Sequence, residues 1–137
     1  MHEQRFLFIG EKRSKTAIKR GWTWDHGRLA GCTLTKVLEV CGLSRLGPPY
    51  GHYYEVVNAF LDDGQKDVLM LTRIEDAARH RGWTVIALGT KVSALLTRYD
   101  IPHRRMTHPA ARGAIRKRER YLAHVQQVLG LSWQRQS

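Results

Sequence analysis

The stretch TVIALGTKVSALL, Thr84 to Leu96, decides the reading of the fold. Thr84 to Leu88 is an unbroken apolar run of strand length, the pattern of a strand covered on both faces in a parallel sheet. Gly89 turns the chain. Val92, Leu95, Leu96 and Tyr99 then recur at helical spacing, so this face of the next segment is expected to point inward. A strand that turns directly into an amphipathic helix is half of a βαβ unit, the connection that parallel strands require.

Working outward from this unit, the same alternation recurs along the chain. Arg5 to Ile9 reads as a strand ended by Gly10. A helix follows at about Ala30 to Cys41, where Leu34, Val37, Leu38 and Cys41 make one buried stripe and Gly42 suits the C-terminal cap. Tyr54 to Phe60 reads as a second strand before the turn Asp62-Asp63-Gly64. Thr72-Arg73-Ile74-Glu75 matches a capping box and predicts a helix from Thr72 to about Arg81. A short strand, Arg104 to Thr107, precedes a last helix over about 112–129 that buries Ile115, Leu122, Val125 and Leu129. The order β-α-β-α-β-α-β-α predicts an α/β fold. The expectation is one domain over 1–137, with three α/β/α layers around a four-stranded parallel sheet and right-handed crossovers.

Glu11 to Arg28 reads as a loop that is long for a compact domain, and such loops are either functional or disordered. It carries six Lys/Arg residues (Lys12, Arg13, Lys15, Lys19, Arg20, Arg28) and two tryptophans, Trp22 and Trp24; a disordered linker seldom holds two Trp. The whole chain has a formal net charge of +11 and a pI near 10.3. That balance points to a polyanionic partner, nucleic acid first, against the plainer alternative of a solvated basic surface. No apolar run approaches the ~18 residues of a membrane span, so no membrane partner is expected. Met1 to Arg5 is polar and shows no signal peptide. Cys32 and Cys41 lie too far apart on one predicted helix to pair, and no CxxC or Cys/His cluster occurs. They read as reduced thiols of an intracellular, cytoplasmic monomer. The seven His show no HxH or HExxH spacing, so neither metal nor cofactor is expected.

Open α/β sheets bind ligands beyond the carboxyl ends of their strands, and polar residues collect at those positions. Gly10 would let backbone approach a ligand, and Glu11 could orient a water or accept from a base; GEKRSKT lacks the ending of a phosphate-binding P-loop. Thr107-His108-Pro109 places a His where it could donate to a developing oxyanion, with Arg104, Arg105 and Arg112 nearby. From His103 to Arg120 there are seven Lys/Arg and one acid, Glu119. Arg112, Arg116 and Arg120 share a helix face that is suited to phosphates or merely solvated. Trp22, Trp24, Tyr50, Tyr53 and Tyr54 lie in or near loops, where aromatic rings either stack on bases or pack lids and cores.

Taken in order, these segments resemble the uracil-DNA glycosylase superfamily, in particular the branches whose first motif begins Gly-Glu. FLFIGE resembles the family's first strand and turn. GRLAGCTLTKVLEVCGL resembles its Gly-Arg-Ala-Gly stretch, with Leu29 inserted. YYEVVNAF resembles the strand carrying the base-reading Asn, here Asn58, and THPAARG resembles the His-Pro-Ser motif. The resemblance implies hydrolysis of the base–sugar bond of uracil or a modified base flipped out of single- or double-stranded DNA, without a metal. It assigns Glu11 and His108 to catalysis, and Gly10, Trp24 and Asn58 to the base, Trp24 as stacking platform. Lys12, Arg13, Lys15, Arg104, Arg105, Arg112 and Arg116 would serve the flanking phosphates. The chain departs from the pattern at Lys12 and Arg13, where the family has Ala-Pro, and at Ala110, where it has Ser. It also lacks the iron–sulfur Cys ligands of some branches. The competing readings are a catalytically silent nucleic-acid-binding module and, more weakly, an enzyme of free nucleotides.

Overall fold

The computed structural model describes residues 4–28, 30–110 and 118–130. Five strands form one all-parallel sheet: β1 (Arg5–Gly10), β2 (Leu43–Ser44), β3 (His52–Asn58), β4 (Thr84–Leu88) and β5 (Arg104–Met106), in the order β2-β3-β1-β4-β5. The fifth strand, β2, is only two residues long; no apolar period marks a segment that short. Helices α1 (Lys15–Arg20), α2 (Ala30–Val40), α3 (Val68–Arg79) and α4 (Thr90–Arg98) lie between strands, and α5 (Arg118–Leu129) follows β5.

Alternate side chains of each strand enter different cores, as the two-residue period of a strand requires. Phe6, Phe8, Ile86, Leu88 and Met106 pack with Leu34, Val37 and Leu38 of α2 and with Tyr121, Val125 and Leu129 of α5. Leu7, Ile9, Val85 and Ala87 pack with Leu71 and Ile74 of α3 and with Val92, Leu95 and Leu96 of α4. Both faces of the sheet are therefore covered, which is why Thr84–Leu88 reads as continuously apolar.

Several expectations are corrected. Residues 11–28 are not a bare loop. Ser14 caps α1 through its Oγ, which accepts from Ala17 N–H at 3.1 Å, and Trp24–His26 forms a 3-10 turn. Helix α3 begins four residues before Thr72, because Asp67 accepts from Met70 N–H at 3.1 Å and supplies the cap. Thr72 instead donates its hydroxyl to Val68 O within the helix, and Glu75 pairs along the surface with Arg79. Tyr99 is not inward: it is 37% exposed, at the end of α4, where Lys66 donates to its hydroxyl. On α5 the fully buried ring is Tyr121, and Leu122 is half-buried. Arg112, Ile115 and Arg116 lie outside the described residues.

The topology sets the position of the site. The chain leaves β1 toward β3 on one side, then returns across it to β4 on the other. Loops after β1 and β4 diverge over opposite faces, which opens a crevice at the carboxyl edge. Asn58, Gly10, Gly89 and Thr107-His108 stand at that edge, at or just beyond the ends of β3, β1, β4 and β5.

Candidate functional site

A cavity of about 320 Å³ opens at this edge, lined among others by Lys12, Trp22, Trp24, Arg28, Asn58, His108 and Ala110. Its floor depends on the absence of a side chain at Gly10. A β-carbon there would lie 2.7 Å from Asn58 Oδ1 and 2.8 Å from Trp24 Cζ2. The indole fills that space, held between Gly10 and Gly31 of α2. Its Nε1–H donates to Asn58 Oδ1 at 2.7 Å. The bond fixes which way the carboxamide lies, so Asn58 keeps its two N–H donors for a ligand. Trp24 also stands 6.1 Å from the His108 ring, centroid to centroid.

His108 is positioned from α5. Tyr121 donates its hydroxyl to Thr107 O at 2.9 Å, and Thr107 N–H donates to His124 Nε2 at 3.0 Å, so both polar atoms of the preceding residue are tied down. Ala110 N–H donates to His108 Nδ1 at 3.0 Å. Burial pushes the His108 pKa below its ordinary value, against the opposing pull of the Glu11 carboxylate. A neutral imidazole that accepts at Nδ1 carries its proton on Nε2, so His108 is a neutral donor.

The polar groups along the cavity are then the Asn58 amide N–H groups, the His108 imidazole and the cations of Lys12 and Arg28, together with Arg13, held by Asp62, and the hydroxyls of Ser14 and Thr23, engaged with Ala17 N–H and His26. Among the described residues no carboxylate lines it. Such a set recognises the acceptor edge of a ligand, a carbonyl oxygen or an anion. Two further grooves, lined by Glu55, Arg73, Arg81 and Trp83, lie at the amino edge of the sheet and mix carboxylates with guanidinium groups.

Glu11 stands beside this cavity rather than in its wall. Its Oε1 pairs with Lys91 Nζ at 2.9 Å. Its backbone carbonyl accepts from Phe60 N–H, which ties the turn to the end of β3. No family model matches this chain, and no curated protein or solved structure matches it. Among the described residues no three His, Cys, Asp or Glu side chains gather as a metal site, and no helix is long and apolar enough to cross a membrane.

Gly10, Trp24, Asn58 and His108 thus come together, and Glu11 sits within electrostatic reach of His108. The expected phosphate contacts divide. Arg13 is spent on Asp62, with Nε to Oδ1 at 3.1 Å and Nη2 to Oδ2 at 2.5 Å. Arg104 donates to the carbonyls of Val128 and Leu129 at 3.0 and 2.9 Å, and so closes the C-terminus of α5. Arg105 is exposed on the edge strand, away from the cavity wall. Lys12 lines the cavity and Lys15 is exposed beside it. Sequence reasoning missed Trp22 and Arg28 as wall residues; their clustering in 11–28 was the available signal, but α1, which folds them back, has too few apolar residues to show a period.

Proposed function

We propose that this chain is a base-excising hydrolase that takes a nucleobase flipped out of a nucleic-acid strand and cleaves its N-glycosidic bond. The observation that carries the reading is the donor-rich cavity, where Asn58, held by Trp24, and neutral His108 converge beside Gly10. Its volume of about 320 Å³ falls at the small end of ligand sites, ~300–1,000 Å³. A target base must leave the stack to enter such a pocket. The resemblance of FLFIGE, YYEVVNAF and THPAARG to the uracil-DNA glycosylase superfamily, from which the roles of these residues are taken, points the same way.

In this reading, Asn58 N–H groups hold a carbonyl of the base, and Trp24 walls the base on one side. Water attacks C1′, the C1′–N bond breaks, and its electron pair leaves with the base. Negative charge develops on the base carbonyl, where His108 Nε2–H donates. A neutral donor suits this task because its N–H is a weak acid, so it hydrogen-bonds the developing anion without giving up its proton. Glu11, through Oε2, orients the attacking water and takes up the proton it sheds as C1′–OH forms, which then passes to the released base anion, while Lys91 holds its other oxygen.

The Glu11–Lys91 ion pair favours a second reading, in which the acid is neutralised and the fold only binds nucleic acid. One experiment separates the two: oligonucleotides carrying uracil, hypoxanthine or hydroxymethylated pyrimidines, incubated with the protein and then cleaved with alkali at abasic sites. Scission that falls by ~10²–10³ in His108→Ala, the usual cost of one oxyanion donor, supports the hydrolase. Absence of scission on every substrate, with binding intact, leaves the binding module.

A further inference from the structure

We propose that α1 and the turn carrying Trp22 form a track for a single strand of nucleic acid, which feeds the cavity from that side. The inference rests on nucleic acid being the ligand, as proposed above, but not on any bond being cut.

The argument begins with what folding does to the charges of residues 11–28. Both acids of the segment, and Asp62 of the turn facing it, are paired with a cation: Glu11 with Lys91, Asp25 with Arg45 at 2.7 Å, and Asp62 with Arg13. Lys12, Lys15, Lys19, Arg20 and Arg28 form no ion pair among the described residues, Lys12 lying only within longer electrostatic range of Asp62. Five unpaired cations therefore remain on one short piece of chain, although its sequence mixes both signs.

Their placement is directional. Ala17, buried and lining the cavity, roots α1 against the protein, while Lys15, Lys19 and Arg20 stay exposed. Gly21, in the left-handed region at φ 70°, turns the chain back into Trp22. Arg20 and Arg28 place their guanidinium carbons 5.3 and 5.9 Å from the Trp22 ring centroid, within cation–π range. Trp22 and Arg28 both line the cavity, so the cationic surface runs into it without a break.

An unpaired polyanion with exposed base faces fits this surface. Cations track the backbone and an aromatic side chain stacks on a base, the pairing used for single strands. In a duplex the base faces are hidden in the stack, and Trp22 would have nothing to meet.

The test uses the full chain and a labelled thymidine oligonucleotide of about 15 nucleotides, the upper range of a single-strand site, with binding followed by anisotropy between ~50 and ~200 mM salt. Single-strand binding loses about 0.7 in the logarithmic salt slope per neutralised phosphate, so five contacts give about −3.5 and Arg20→Gln/Arg28→Gln should weaken the slope by about 1.4. Trp22→Ala should cost about tenfold in affinity, and Trp22→Phe should retain most of it. Arg13→Gln and Arg104→Gln, whose cations are spent internally, should leave the slope unchanged. An unchanged slope in the Arg20/Arg28 variant overturns the track, as does duplex of the same length or polyglutamate binding as tightly as the single strand. A protein with the expected slopes but no scission keeps the track and loses the hydrolase. A protein that cuts, with slopes indifferent to Arg20 and Arg28, does the reverse.

Discussion

Gly10→Ala adds one methyl group where three chain segments meet. The new β-carbon would stand 2.7 Å from Asn58 Oδ1 and 2.8 Å from Trp24 Cζ2, well short of the 3.4 Å at which ordinary contact begins. Neither neighbour is free to swing away. The indole is bonded to Asn58 at 2.7 Å, and its other edge, at Cε3, already approaches Gly31. Relief means moving the ring and the carboxamide apart by several tenths of an ångström and breaking their hydrogen bond. Overpacking of this size costs ~1–3 kcal/mol, and the lost bond adds ~0.5–1.5 kcal/mol. The sum, about 2–4 kcal/mol, lowers the melting temperature of a chain this long by roughly 6–15 °C. Thermal unfolding followed by circular dichroism reads the shift, and Trp24→Phe supplies the second arm of a double-mutant cycle. The smaller ring vacates the clashing edge, so the pair should be less destabilised than the sum of its members by ~1 kcal/mol or more. If Gly10→Ala melts within ~2 °C of the parent and its effect simply adds to that of Trp24→Phe, the ring does not lie over Gly10 and does not orient Asn58 from there.

Other expectations bear on the parts that hold the site. Arg104→Ala frees the carbonyls at the end of α5 and should cost ~1 kcal/mol, seen as a lower melting temperature with unchanged salt dependence of nucleic-acid binding; a reduced slope would return Arg104 to the phosphate contacts. His108 and His124 both have folded pKa values below the ordinary 6.5, chiefly through burial. The unfolded chain therefore takes up protons first, so their contribution to stability is fully present above that value and is lost as pH falls through 6.5 toward the folded pKa values. Melting temperatures should be level above neutrality and decline below it, less steeply in His124→Gln, and a rise on acidification would contradict the neutral imidazoles. Burial pushes the Cys41 thiol up to about 11, so native alkylation at mildly alkaline pH should mark the half-buried Cys32 alone, with Cys41 labelled only after unfolding, as peptide mass spectrometry can show.

The alternation of strands and helices was legible because each element carries its own period. Thr84–Leu88 is apolar throughout, since helices cover both of its faces, and Leu34, Val37, Leu38 and Cys41 all enter one core as their spacing requires. The start of α3 was not, because two signals competed for it. Asp67 and Thr72 can each cap a helix, and the choice falls to Asp67, whose backbone N–H donates to Ala59 O at 2.8 Å and so ties the cap to the end of β3. Helix α1, at six residues with one buried side chain, is held by its Ser14 cap and by docking rather than by an amphipathic stripe. Propensity alone rarely sustains a helix that short.

The site divides along the same line. That Gly10, Asn58 and His108 could meet follows from parallel strands sharing one carboxyl edge, so the positions were legible once the strands were. The role of Trp24 was not, because it depends on a hydrogen bond to a residue 34 positions away. That bond turns an expected stacking platform into the group that orients Asn58 as well as a wall of the cavity. Charge behaves in the same way. Arg13 looked available in sequence, yet folding brings Asp62 to it across 49 residues, and α5 claims Arg104 through two carbonyls. A cation is available to a polyanion only if no acid or carbonyl of its own chain reaches it first. The binding surface therefore falls on α1 and Trp22 rather than on every basic run in the chain, and variants of Arg13 and Arg104 should behave as lesions of stability while those of Arg20 and Arg28 behave as lesions of binding.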